Sequence, residues 1–106
     1  MRIKVQSIHF NADQKLLDFV QERVDKLVHF YDEITHGEVF LRLEKSTITE
    51  NKITEIKLNT PGKILFAKEQ CKTFEEATDL TVEALRKQIV KHKEKSRKKY
   101  SGLITD

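Results

Sequence analysis

Residues 39–71 read VFLRLEKSTITENKITEIKLNTPGKILFAKEQC, and this run decides the fold. Val39, Leu41 and Leu43 alternate with Phe40, Arg42 and Glu44, the period-two pattern of a strand that buries one face. The polar stretch from Ser46 to Asn51 suits a hairpin loop. Beyond it Ile56 and Leu58 alternate with Glu55, Lys57 and Asn59, which gives a second strand. Thr60-Pro61-Gly62-Lys63 suits a type II turn, because proline presets φ at the second position and glycine accepts φ > 0 at the third. Ile64 to Cys71 is then the most continuously apolar strand, and that continuity suits a central strand or one paired on both sides.

On either side of this run the period changes. Upstream, Leu16, Val20, Val24, Leu27 and Tyr31 fall on one helical face, widened by Leu17 and Val28. Lys15, Asp18, Glu22, Asp25, Lys26 and His29 lie opposite, which makes the helix amphipathic. Asn11 and Asp13 supply N-cap oxygens before it. The helix is expected to end near Tyr31-Asp32, with Gly37 marking the turn that follows. Ahead of it, Ile3 and Val5 alternate with Arg2, Lys4 and Gln6 as a half-buried strand over residues 2–8.

Downstream, Thr73-Phe74-Glu75-Glu76 is a capping box. In the helix it opens, Phe74, Ala77, Ala84, Leu85 and Ile89 share one face, with Val82 at its margin. The apolar stripe stops at Ile89 while helix-compatible sequence runs on to about Lys99, so the last turns are expected to project beyond the core. The order is β-α-β-β-β-α. It implies an α+β two-layer sandwich, a four-stranded antiparallel-type sheet with two helices on one face, of the dsRBD-like kind. Residues 1–100 form one domain, and Ser101-Gly102 opens a short flexible tail over 101–106.

A chain of 106 residues is one domain's worth. No stretch approaches the ~20 apolar residues of a membrane span, and the N-terminal strand lacks the apolar region of a signal peptide. A single cysteine, Cys71, excludes an internal disulfide and suits a reducing cytoplasm.

The net charge of +3 is unevenly spread. Between positions 86 and 99 stand Arg86, Lys87, Lys91, Lys93, Lys95, Arg97, Lys98 and Lys99 against one acid, Glu94, so this segment carries +7 and the remainder −4. A near-neutral body with one strongly basic end is a directed electrostatic object, and nucleic acid is the obvious anionic partner. Lys87, Lys91 and Lys98 fall on one flank of the helix, Arg86, Lys93 and Arg97 on the other, and His92 continues the core-facing stripe. The open sheet face adds Arg2, Lys4, Arg42 and Lys57, with Glu44 and Glu55 between them; Phe40 there reads first as a side chain packed among its cross-strand neighbours and second as a stacking platform.

Catalytic constellations are missing from the sequence. His9, His29, His36 and His92 are scattered without metal-ligand spacing. Gly37, Gly62 and Gly102 are isolated and match no phosphate-cradling loop. Cys71 has no histidine near it in sequence and reads as a small buried residue. Glu75-Glu76 stands at a helix start, where the macrodipole favours acids. The expectation is a non-enzyme without cofactor, metal or small-molecule substrate.

Three stretches carry a resemblance to a known family. Leu16-Leu17-Asp18-Phe19-Val20, Lys26-Leu27 and Tyr31-Asp32-Glu33-Ile34 are similar to "L-x-x-F-V … K-L … F/Y-D-x-I". The run from Val39 to Lys45 looks like "V-x-L-x-V-E-K". Ala77-x-Asp79 followed by the run from Leu85 to Lys95 is similar to "A-x-D … L-x-R-Q-L-x-K-H-K-x-K". On these residues the whole chain resembles the ribosome hibernation-promoting factor and ribosome-associated inhibitor (sigma modulation protein) family, in its short form.

The resemblance implies the same β-α-β-β-β-α fold. It also implies binding in the decoding region of the small ribosomal subunit, over ribosomal RNA where tRNA and mRNA would sit, under stress or in stationary phase. Carried over position by position, Lys87, Lys91, His92, Lys93 and Lys95 match the family's basic helix and are the RNA-contact candidates, with Arg86 and Lys26 next to them. His92 also fits a core-edge histidine. The chain ends at Asp106, without the extra C-terminal domain that long members use to pair ribosomes. A ribosome-pairing helper protein as a further partner is left open, as is the choice between promoting and blocking pairing. A competing reading is a protein-interaction module, since family members also bear the sigma-modulator label and a −4 body with a +7 end could dock an acidic protein surface.

Overall fold

A computed structural model describes residues 3–45 and 49–105, with side chains as far as residue 94. The elements are β1 (Ile3–Ile8), α1 (Gln14–Phe30), β2 (His36–Leu43), β3 (Lys52–Thr60), β4 (Lys63–Cys71) and α2 (Phe74–Thr105). Their order is the one the periodicities predict.

The sheet order is β1-β2-β3-β4, and two expectations about it need correction. First, the sheet is mixed. β1 pairs with β2 in parallel, through Ile3↔Gly37, Val5↔Val39 and Ser7↔Leu41. The antiparallel pairs are β2 with β3 and β3 with β4. A strand, a crossover helix and a return strand lie parallel as a right-handed unit, and α1 is that crossover. Secondly, β4 is an edge strand. Its apolar continuity has another cause. Leu65 and Ala67 are buried under the helices, while Ile64 and Phe66 stand on the open face, 55% and 48% exposed.

Gly37 is also not a turn residue. It lies inside β2, between Ile3 and Leu58. A Cβ there would come within 2.6 Å of Leu58 Cδ2 and 3.0 Å of the Lys57 carbonyl oxygen, so close approach of the strands selects glycine. The Pro61-Gly62 turn forms as expected. Gly62 has φ 77°, and Thr60 Oγ1 donates to Lys63 O at 2.9 Å. Of the expected hairpin loop, residues 46–48 lie outside the described residues, as does Arg2.

Both helices start where their caps predict. Asp13 accepts from Leu16 N–H at 2.9 Å, and Thr73 Oγ1 accepts from Glu76 N–H at 3.0 Å. Val20, Val24, Leu27 and Val28 of α1 pack with Phe74, Leu85 and Ile89 of α2 over Val39, Leu41, Ile56, Leu58 and Leu65 of the sheet. Burying each of these large apolar side chains is worth about 1.5–3 kcal/mol. One part of the seam is polar. Thr54, Thr78 and Thr81 are fully buried, with Thr54 Oγ1 and Thr78 Oγ1 3.2 Å apart.

α2 is 32 residues long and continues to Thr105, past the Ser101-Gly102 break that the sequence suggests. A helical glycine costs only about 1 kcal/mol against alanine, a far weaker stop than a proline. The radius of gyration, 15.7 Å, exceeds the ~13 Å of a compact domain of this size, and the projecting helix accounts for it.

Candidate nucleic-acid interface

α1 and α2 lie side by side and run in the same direction. Arg23 of α1 meets Asp79 of α2, with Nε donating to Oδ1 at 2.8 Å. Seven residues on along each helix, the Arg86 guanidinium lies 5.0 Å from the Phe30 ring centroid. Lys93 Nζ lies 4.7 Å from the same centroid and 5.3 Å from that of Tyr31. The α1 C-terminus therefore presents an aromatic pair to the basic part of α2. Its partial negative charge adds to the attraction for cations there.

Between the helices runs a groove of about 330 Å³, lined by Arg23, Lys26, Leu27, Phe30, Val82 and Arg86. On the outer side of α2 a shallower hollow of about 380 Å³ is lined by Glu83, Arg86, Lys87, Val90 and Lys91. Arg86 borders both. The structure thus divides the sequence-predicted residues into two groups. Lys26, Arg86 and Lys93 gather at the inter-helix groove and its Phe30 end, while Lys87 and Lys91 share the outer hollow. The Lys95 side chain lies outside the described residues.

His92 is partly buried, its ring 6.1 Å from that of Tyr31 in an edge-on arrangement. That contact ties it to the core edge, in line with its place on the apolar stripe. The Tyr31 phenol is pushed above its ordinary 10.0 by burial first, then by the Glu33 and Asp32 carboxylates.

The cations differ in how far they are neutralised. Arg23 pairs with Asp79 at 2.8 Å and Glu22 at 3.0 Å, and Lys26 with Glu22 at 3.5 Å. On the open sheet face, Arg42 binds Glu55 at 2.6 Å, which neutralises one of the cations expected there. Among the described residues, Arg86, Lys87, Lys91 and Lys93 have no carboxylate within ion-pair distance. They form a run of positive charge without direct ion pairs among the described residues.

Two residues of this region escape a reading by helical stripes. Phe30 lies off the apolar face of α1 and is 38% exposed. Its one sequence signal is an aromatic placed beside the stripe's last member, Tyr31. Arg23 lies among the polar residues, and its role shows only through Asp79, 56 positions away. Among the described residues no group of three or more His, Cys, Asp or Glu is placed to hold a metal. None of their helices is long and apolar enough to cross a membrane.

Comparison with known proteins adds the following. Residues 3–97 match the Sigma 54 modulation protein / S30EA ribosomal protein family. The ribosome hibernation promoting factor of Azotobacter vinelandii is 28% identical over 102 residues, covering 96% of this chain and 92% of that one. That of Pseudomonas putida is 28% identical over 102 residues, with 96% of each covered. Among solved structures, a ribosomal subunit interface protein from Coxiella burnetii superposes with a TM-score of 0.78 at 19% identity, over 88% of this chain and 98% of its own. The N-terminal domain of Thermus thermophilus Protein Y gives 0.71 at 22%, over 84% and 96%. At these identities the two structures speak to the fold, and they share it.

Proposed function

The chain belongs to the Sigma 54 modulation protein / S30EA ribosomal protein family, and on that premise we propose that it is a non-catalytic ribosome hibernation factor of the cytoplasm. It binds ribosomal RNA of the small subunit in the decoding region and blocks tRNA and mRNA there under stress or in stationary phase. The observation that carries this reading is the run of cations on α2, Arg86, Lys87, Lys91 and Lys93, without carboxylate partners among the described residues.

A stable isolated domain gains nothing from such a run, since like charges repel. Phosphates relieve the repulsion, and the release of their counterions drives association. A projecting helix with cations on both flanks can follow a groove and its two backbones, so the contact depends on RNA shape more than on base sequence. In this it works as double-stranded RNA-binding domains do. Lys87 and Lys91 are the main phosphate contacts, with Lys95 as a further candidate from the sequence. Arg86, Lys93 and Lys26 contact from the groove side, and His92 from the core edge. A helper protein that pairs ribosomes is a further partner under this proposal.

The test is co-sedimentation with ribosomes at low and high salt, beside a variant carrying Lys87→Glu, Lys91→Glu and Lys95→Glu whose fold has been checked by circular dichroism. The expected result is comigration with the small subunit, weakened by salt and lost in the variant. If the native protein stays at the top of the gradient even at low salt, the ribosome reading fails and a protein partner takes its place.

A further inference from the structure

Arg86 and Lys93 lie 5.0 and 4.7 Å from one ring centroid, that of Phe30. Two cationic groups so placed are less than 10 Å apart, and neither has a carboxylate partner among the described residues. Of the acids nearby, Glu22 is committed to Arg23 and Lys26 and Asp79 to Arg23, while Glu83 lines the outer hollow with Arg86 without an ion pair to it. Both cations are drawn to the π-system of one aromatic ring. A ring fixes their position without neutralising their charge, as a glutamate would, and both remain able to take an anion.

We propose that Arg86 and Lys93 form a two-cation seat for phosphate of the RNA backbone, and that Phe30 is the residue that positions them. This rests on the RNA reading above and adds to it a residue that contacts the RNA only through others. Phe30 is suited to the task. It is 38% exposed, so it stands at the surface where the phosphate arrives, and it is set by the C-terminal turn of α1 beside the buried Tyr31. Tyr31 takes a share of Lys93, 5.3 Å from its own centroid. Long basic side chains lose much rotamer freedom when they bind, and cations already held on a ring lose less of it.

The experiment measures binding of the full chain to a 16-base-pair duplex RNA and to purified small subunits, across a salt series, for the native protein, Phe30→Leu, Phe30→Tyr and Arg86→Gln. Leucine keeps the apolar surface and removes the ring face. The expected result for Phe30→Leu is a loss of affinity of about three- to tenfold with an unchanged thermal midpoint, and native affinity for Phe30→Tyr. Adding Phe30→Leu to Arg86→Gln should then cost less than it does in the native background, because part of what the ring organises is already gone.

Native affinity for Phe30→Leu, beside binding lost in the Lys87→Glu, Lys91→Glu, Lys95→Glu variant, would overturn the positioning role and leave the RNA reading standing. Equal losses in Phe30→Leu and Phe30→Tyr would also overturn it, since both side chains fill the site but only one lacks the ring. A native protein that binds neither probe at low salt would overturn the RNA reading itself, and this inference with it.

Discussion

Arg23 Nε donates to Asp79 Oδ1 at 2.8 Å and thereby clamps α1 to α2 one heptad before Phe30 meets Arg86. Arg23 is held from two other directions as well, by Glu22 at 3.0 Å and by the Phe19 ring 4.4 Å away. The pair is 33% and 52% exposed, so its worth is that of a surface ion pair, at most about 1 kcal/mol. Asp79→Asn should therefore lower stability by about 0.5–1 kcal/mol in urea titrations. It should also raise RNA affinity at low salt, because one acid leaves the groove rim and Arg23 is partly released. The gain should vanish as salt rises and screens the rim. Unchanged affinity at low salt would show that Arg23 takes no part in the groove's field.

The elements of the fold were legible because each has a local cause: alternation in β2 and β3, caps at Asp13 and Thr73, and an apolar stripe that ends at Ile89. What was not legible depends on pairing between distant residues. Nothing in Ile3 or Val5 says which edge of the sheet β1 joins, or in which direction. Gly37 reads as a turn until Leu58 and Lys57 are placed beside it. The cations of α2 could be named from the sequence. Their division between groove and outer hollow could not, because it depends on where Phe30, Tyr31 and the acids of α1 come to lie.

Gly37→Ala tests the closeness of those strands. The added Cβ would meet Leu58 Cδ2 at 2.6 Å and backbone at 3.0 Å, and of these only the leucine can give way. A loss of about 1–3 kcal/mol is expected from overpacking, read as a lower denaturation midpoint with an unchanged slope. A stability equal to the native value would mean that β1, β2 and β3 can separate at this point without cost.

The buried threonines predict a non-additive pair. Thr54 Oγ1 and Thr78 Oγ1 are 3.2 Å apart in a seam without exposure, while Thr81 Oγ1 donates to Ala77 O at 2.7 Å and also reaches Thr54 O at 3.3 Å. Thr78→Val strands the Thr54 hydroxyl and should cost about 1–3 kcal/mol. Thr54→Val with Thr78→Val removes both partners and should cost less than the two single changes together. Strict additivity in a double-mutant cycle would show that the two hydroxyls do not depend on each other.

Stability should fall on the alkaline side, and Cys71 should contribute to the fall. Its thiol is buried and pushed up from the ordinary 9.0, by burial first and then by Glu76, Glu69 and Glu50. A folded state that holds on to this proton is favoured most below the unfolded thiol's pKa. The advantage shrinks as pH rises past 9.0 and the unfolded chain ionises first, and it is gone once the folded thiol would ionise too. Tyr31, raised from 10.0, adds a second loss in the same direction at higher pH. Cys71→Ala should flatten the stability profile as pH rises past 9.0, relative to the native protein. An identical slope in both would remove the thiol from the account.

The two groups of cations should differ in what they contribute to RNA binding, and the salt dependence separates them. Each phosphate contact contributes about one unit to the slope of log affinity against log salt. Lys87 and Lys91 stand in the outer hollow without a carboxylate partner among the described residues, so Lys87→Gln or Lys91→Gln should each reduce that slope by about 1. Lys26 is bound to Glu22 at 3.5 Å. It must give up or share that partner to meet a phosphate, so Lys26→Gln should change the slope by clearly less. If Lys26 proved as costly to remove as Lys87, the RNA would be seated in the inter-helix groove and not along the outer flank of α2. The main phosphate contacts would then move to Arg86 and Lys93 above Phe30.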